Sequence, residues 1–289
     1  MAETRMTEKS LEVEENWQIA YQWRPAQKPS HACPIVFLNG LGDTYHAWTP
    51  FMSKLPTRHR LQVDLRGQGK SLAHRLAHDS NSDFRISVET QSRDLLKLLD
   101  TLKIEQVDIA AFSYGGGVAF DFATRFPNRV RRLASIVPFI LRLDRSFPLQ
   151  RLMSWQWNTA RTFGLIPQSL GHGLEQAYEK FLSAYMNQRY ESRLSNAEHR
   201  RVAIELTYGI MKFNAFEVLE HLPLKSVYLL TGDCDTLVPT TLYQEFWRRL
   251  PDEKRGTWTR INDGEHLLLE QKPEIVEQWL RSVLNENPV

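Results

Sequence analysis

Between Val107 and Phe126 an apolar, strand-like run passes into a segment that reads as a helix, through Ala111-Phe112-Ser113-Tyr114-Gly115. A strand that turns straight into a helix needs one sharp bend. A serine at that bend can be held with its hydroxyl exposed. The flanking Ala111 and Gly115 are small, as the bend requires, because larger side chains there would strike the neighbouring backbone. The junction therefore nominates one nucleophile, Ser113.

The rest of the chain repeats this strand-then-helix rhythm. Ahead of it, Leu11 to Glu14 and Trp17 to Trp23 read as the arms of a hairpin. Ile35-Val36-Phe37-Leu38 is a short apolar run that ends at Asn39-Gly40, and Leu61 to Asp64 is the next. Ser87 to Leu102 is helical: Ser87 is an N-cap, Glu89 lies in the first turn, and Leu95, Leu98, Leu99 and Leu102 share a face. After Gly115 to Phe126, a helix, comes a strand from Val130 to Val137. The alternation predicts a mostly parallel central sheet with helices on both faces.

The rhythm breaks at about Phe139. From there to about Asn214 the periodicity is helical, best seen in Leu174, Ala177, Tyr178, Phe181, Leu182, Tyr185 and Met186. Ser195-Asn196-Ala197-Glu198 has the form of a capping box. Strand and helix then resume at Val227 to Leu230, Thr241 to Leu250, Thr257 to Ile261 and Lys272 to Leu284. The expected organisation is a core of residues 1–138 and 215–289 with a helical cap, residues 139–214, inserted over the strand ends. Ligands bind at those ends in open α/β sheets.

Composition removes several functions. The 289 residues carry a net charge of +2, which gives no case for a nucleic-acid binder. No run of about 18 apolar residues occurs, so no membrane-spanning helix is expected. The N-terminal residues lack the apolar stretch of a secretory leader, and two cysteines make neither a disulfide framework nor a Cys-based zinc site. A cytoplasmic protein is expected, with an exported protein whose leader has been removed as the alternative. The eight Trp and fourteen Phe read first as core.

A serine nucleophile needs a base, an acid that orients the base, and a place for the oxyanion. Of nine histidines, His74, His78 and His199 lie in polar surroundings that read as surface. His266, in Asp263-Gly264-Glu265-His266-Leu267, follows the last predicted strand and lies at the same sheet edge as Ser113. Asp233 and Asp235 both lie in the loop after Val227 to Leu230, where either could merely cap the next helix. The Gly-x-x-Asp spacing from Gly232 favours Asp235 as the acid. Cys234 between them reads as a packed small residue. Backbone N–H groups of Tyr114 and of Leu41, in Asn39-Gly40-Leu41-Gly42-Asp43, are the candidates for the oxyanion hole. Read alone, that second run is a glycine turn.

Ser, Asp and His, each after a strand and in that order, resemble the α/β-hydrolase superfamily over nearly the whole chain. Asn39 to Gly42 is similar to its oxyanion loop, and Asp64-Leu65-Arg66-Gly67-Gln68-Gly69-Lys70-Ser71 to its Asp-x-Arg-Gly-x-Gly-x-Ser turn, which is mainly structural there. Ala111 to Gly115 is similar to its nucleophile elbow, and Gly232 to Pro239 and Gly264 to His266 to its acid and base loops. Ala111 stands where many members have Gly, and Asn39 where His is common. Ser113 disfavours the members with an Asp nucleophile, the epoxide hydrolases and haloalkane dehalogenases. The oxyanion loop does not resemble the longer Ser/Gly/Pro type of carbon–carbon-bond hydrolases. The resemblance implies a serine hydrolase, esterase- or lipase-like, that takes a small-molecule ester of a small or medium apolar acid and needs no cofactor or metal. The same residues would serve an amidase, thioesterase, lactonase or acyltransferase, or perhydrolysis. The reading from another class is a receptor or scaffold that keeps the fold without turnover.

Overall fold

The computed structural model describes residues 8–78, 86–140, 202, 205, 206, 209, 210, 213–222 and 226–284. The chain divides into two units, residues 1–141 with 205–289, and residues 142–204. The elements below belong to the first unit. Most of the cap expected at 139–214 lies outside the described residues.

Eight strands form one sheet: β1 (Glu8–Glu14), β2 (Trp17–Arg24), β3 (Ile35–Leu38), β4 (Arg60–Val63), β5 (Val107–Phe112), β6 (Val130–Ile136), β7 (Val227–Gly232) and β8 (Arg255–Ile261). Their spatial order is β1-β2-β4-β3-β5-β6-β7-β8. The hairpin β1–β2 is antiparallel and joins β4 antiparallel; every pairing from β4 to β8 is parallel. The described helices are α1 (Thr49–Met52), α2 (Gly69–His78), α3 (Val88–Thr101), α4 (Tyr114–Arg125), α5 (Ala215–Val218), α6 (Thr240–Arg249), α7 (Leu268–Gln271) and α8 (Pro273–Leu284).

The central strands are apolar runs because both their faces are covered. Ile35, Phe37, Ala110, Phe112, Ala134 and Ile136 alternate onto one face, where they join Trp48, Phe51, Trp279, Leu280 and Val283 in one core. Each side chain buried this way from α8 contributes about 1.5–3 kcal/mol relative to exposure. The alternate residues Val36, Leu38, Ile109 and Ala111 are buried too, and α3 and α4 pack against each other on α4's side of the sheet. Ser87 caps α3 as expected, accepting the Thr90 N–H at 3.0 Å.

Charged groups are also locked inside. The Arg58 guanidinium lies 2.7 Å from Asp108, itself fully buried between Arg58 and Arg131, and bonds the Cys33 and Leu284 carbonyls. Arg66 grips Asp94 with two bonds of 2.7 and 2.8 Å. Asp64, at the end of β4, has no exposed surface. Burial pushes its carboxyl up to about 7, against the pull of the N–H groups of Lys70 and Tyr45. That value lies above the ~3.9 of an unfolded chain, so between the two the native state holds the extra proton. The contribution of this group to stability is therefore fullest below about pH 4 and is lost as pH rises through about 7. Calorimetry from about pH 5 to about pH 8 should show the wild-type Tm falling relative to that of Asp64→Asn. Parallel curves would remove Asp64 as the titrating group.

Candidate active site

The sharp bend after β5 falls on Ser113, whose backbone has φ 49° and ψ −113°. A non-glycine residue held in that region is strained, and the strain persists because the surroundings over-determine it. The Ser113 N–H donates to the Ile136 carbonyl at 3.0 Å. Its own carbonyl accepts the N–H groups of Gly116 and Phe139, both at 2.9 Å. Gly115 is needed because a Cβ there would come within 2.7 Å of the Leu38 carbonyl oxygen and 2.8 Å of that of Asn39. Val137, just after neighbouring β6, also has a positive φ, 40°.

Ser113 Oγ lies 2.8 Å from His266 Nε2, although 153 residues separate them. His266 Nδ1 lies 2.8 Å from Asp235 Oδ2. The other Asp235 oxygen, Oδ1, accepts the N–H groups of Leu237 and Val238, each at 2.9 Å. The carboxylate is thus aimed by its own loop, and Tyr243 Oη stands 3.4 Å from Oδ2. Ser113, His266 and Asp235 are 4%, 5% and 7% exposed. The expected exposed hydroxyl is in fact buried, beside Phe112, whose ring lies 5.9 Å from that of His266.

The other acid of the loop is occupied elsewhere. Asp233 accepts from Arg260 Nε at 2.9 Å, at the surface. Cys234 is exposed, not packed as the sequence led us to expect; its Sγ faces the Asn262 carbonyl at 3.5 Å. A turn that throws two neighbouring carboxylates to opposite uses leaves the residue between them pointing outward. The acid and base loops touch through their backbones. Asp233 and Cys234 donate to the carbonyls of Ile261 and Gly264, each at 2.9 Å. A Cβ on Gly232 would overlap the Gly264 carbonyl.

The loop after β3 reaches the same place. A Cβ on Gly40 would stand 2.9 Å from the Phe112 ring and 3.6 Å from the Ser113 Cβ. Gly42 supplies the left-handed backbone, with φ 70°. Asn39 holds the loop by donating from Nδ2 to the Asp43 carbonyl at 3.1 Å and to Gln68 Oε1 at 3.2 Å. Among the described residues, no backbone carbonyl takes the N–H of Leu41 or Tyr114. Tyr114 opens α4, where unpaired N–H groups and the helix dipole favour negative charge. Its buried hydroxyl bonds Gln91 of α3, a partner that local sequence did not reveal. Sequence reasoning also passed over Tyr243, whose signal is only an apolar-face position in α6. No group of three or more His, Cys, Asp or Glu among the described residues is arranged to hold a metal ion.

Residues 34–151 match a family model described as alpha/beta hydrolase fold. The chain has the α/β-hydrolase fold. The matched stretch contains Ser113 and the loop after β3 but neither Asp235 nor His266. The chain is 34% identical over 104 residues to a 2-hydroxy-6-oxo-2,4-heptadienoate hydrolase of Pseudomonas putida, which is 35% of each chain. It is 31% identical over 112 residues to a haloalkane dehalogenase of Agrobacterium fabrum, or 38% of this chain and 34% of that one. These matches span about a third of the relatives' length. Among solved structures it is similar to MGS-M2, an alpha/beta hydrolase enzyme from a Medee basin deep-sea metagenome library. The TM-score is 0.69 and the identity 17%, over 97% of this chain and 98% of that one. No helix among the described residues is long and apolar enough to cross a membrane.

Proposed function

We propose that this chain is a serine hydrolase that cleaves carboxylic esters of small or medium apolar acids through an acyl-enzyme. The observation that carries the reading is the continuous hydrogen-bonded chain from Ser113 Oγ through the His266 imidazole to the Asp235 carboxylate, at 2.8 Å and 2.8 Å. Ser113 Oγ attacks the ester carbonyl while His266 Nε2 takes its proton, then passes it to the departing alkoxide. Asp235 keeps the remaining proton on Nδ1 and balances the imidazolium charge. The N–H groups of Leu41 and Tyr114 receive the oxyanion, with no reorganisation needed as charge develops. Water, activated by the same His266, releases the acid and restores Ser113. The apolar preference rests on the Phe112 ring beside the base and on the aliphatic and aromatic content of residues 139–214.

A second reading keeps the same residues and changes the substrate. The likeness to a 2-hydroxy-6-oxo-2,4-heptadienoate hydrolase favours a hydroxy-oxo-dienoate in place of an ester. One panel separates the two: p-nitrophenyl esters of increasing acyl length, an amide, a thioester and that dienoate. The ester reading expects a p-nitrophenolate burst with short and medium esters, and one fluorophosphonate adduct, on Ser113. Folded protein that carries no adduct on Ser113 would sink both readings. Turnover of the dienoate alone would select the second.

A further inference from the structure

We propose that Asp64 is a positioning residue for the oxyanion loop, its buried carboxylate tying residues 39–45 to the turn at 64–70 and so fixing where the Leu41 N–H points. The inference rests on the serine-hydrolase reading above. Asp64 Oδ1 accepts the Tyr45 N–H at 2.6 Å, at the far end of the loop that carries Leu41. Asp64 Oδ2 accepts the Lys70 N–H at 2.9 Å, across the turn. At the near end of the loop, Asn39 donates to Gln68 of the same turn. Both ends of the oxyanion loop are therefore fastened to one piece of backbone.

That piece is itself anchored. Ser71 Oγ donates to the Asp64 carbonyl at 2.6 Å and accepts the Ala20 N–H of β2 at 2.8 Å. Asp64 thus sits between a fixed strand and the loop, with one oxygen for each N–H. A carboxylate can accept on both sides, whereas an amide must oppose one of the two N–H groups with its own. Removing the second acceptor loosens either the Tyr45 end or the Lys70 end. A donor displaced by about 1 Å from the oxyanion can cost about 10²-fold in rate.

The test uses Asp64→Asn and, as a second variant that leaves the carboxylate in place, Asn39→Ala. Active sites are counted by fluorophosphonate labelling, then kcat, KM and the affinity for an alkyl boronic acid are measured. The boronate adduct places an oxygen where the oxyanion sits, and amide hydrogen exchange reads the loop directly. We expect kcat per labelled site to fall about tenfold to a hundredfold in Asp64→Asn. Boronate affinity should fall by a matching factor, KM should stay within about threefold, and the amides of 39–45 should exchange faster while those of α4 do not. A merely structural Asp64 would give fewer labelled sites, each with wild-type kcat and boronate affinity; that result overturns the proposal. If Asp64→Asn does not fold, the same split is expected of Asn39→Ala, and wild-type values there overturn it. Wild-type protein that takes no label, yet gains fast loop exchange in Asp64→Asn, would keep the tie and discard the hydrolase reading.

Discussion

Ser113→Ala, His266→Ala and the double variant should each lose about the same factor in kcat, of order 10⁶. The equality is the point of the prediction. The Ser113 hydroxyl is no nucleophile without a base, and His266 has nothing to activate without the hydroxyl at 2.8 Å. Groups that act as one unit do not add. Both side chains are buried, so thermal melts must accompany the kinetics to show that each variant is folded. Titrated initial rates on the best ester of the panel would measure the three losses. A double variant that loses the product of the two single factors would mean that serine and histidine act independently, and the proposed mechanism would be wrong.

Asp235→Asn should lower kcat by roughly 10⁴-fold with KM little changed, whereas Asp233→Asn should stay within about threefold of wild type. The argument is about which atom of the new amide faces the imidazole. Oδ1 of Asp235 already accepts the N–H groups of Leu237 and Val238. An amide at this position keeps its one oxygen there and turns its NH₂ toward His266 Nδ1. Nδ1 must then accept, which places the imidazole proton on Nε2, facing Ser113. A ring in that tautomer cannot take the serine proton. Asp233 has no such link, since its carboxylate serves Arg260 at the surface. Steady-state kinetics of the two variants side by side decide it. The reverse pattern would move the acid to Asp233.

Much of the sheet could be read because its central strands leave little choice. Ile35–Leu38 and Val107–Phe112 begin and end where the sequence puts them, since strands buried on both faces are unbroken apolar runs bounded by polar or turn residues. The strand order could not be read. That β4 lies between β2 and β3 depends on a crossover that no local pattern encodes. Helix α2 escaped notice because its first residues, Gly69 to Ser71, belong to the Asp64 to Ser71 run that reads as a turn, and only Leu72 and Leu76 follow as large apolar residues. Buried ion pairs were invisible for the same reason that makes them expensive: Arg58 and Asp108 look like surface residues until their partner, 50 positions away, is known. At the candidate site, spacing from Gly232 pointed to Asp235, but the reason for the choice lies in two loop N–H groups that only a folded turn aims at one oxygen. The burial of Ser113 was missed because the bend is local, whereas the Gly40 loop and the His266 ring that stand beside it come from distant segments.

The contact between Gly232 and Gly264 makes the loops after β7 and β8 a single packed piece. Neither can be lengthened, shortened or exchanged for a relative's version without its counterpart meeting the wrong surface. Recombination that breaks the chain between residues 232 and 264 would separate loops fitted only to each other. Crossovers placed before β7 or after α8 carry both intact. Chimeras seeking a new substrate should therefore keep the stretch from β7 to α8 whole and vary the sequence on its N-terminal side.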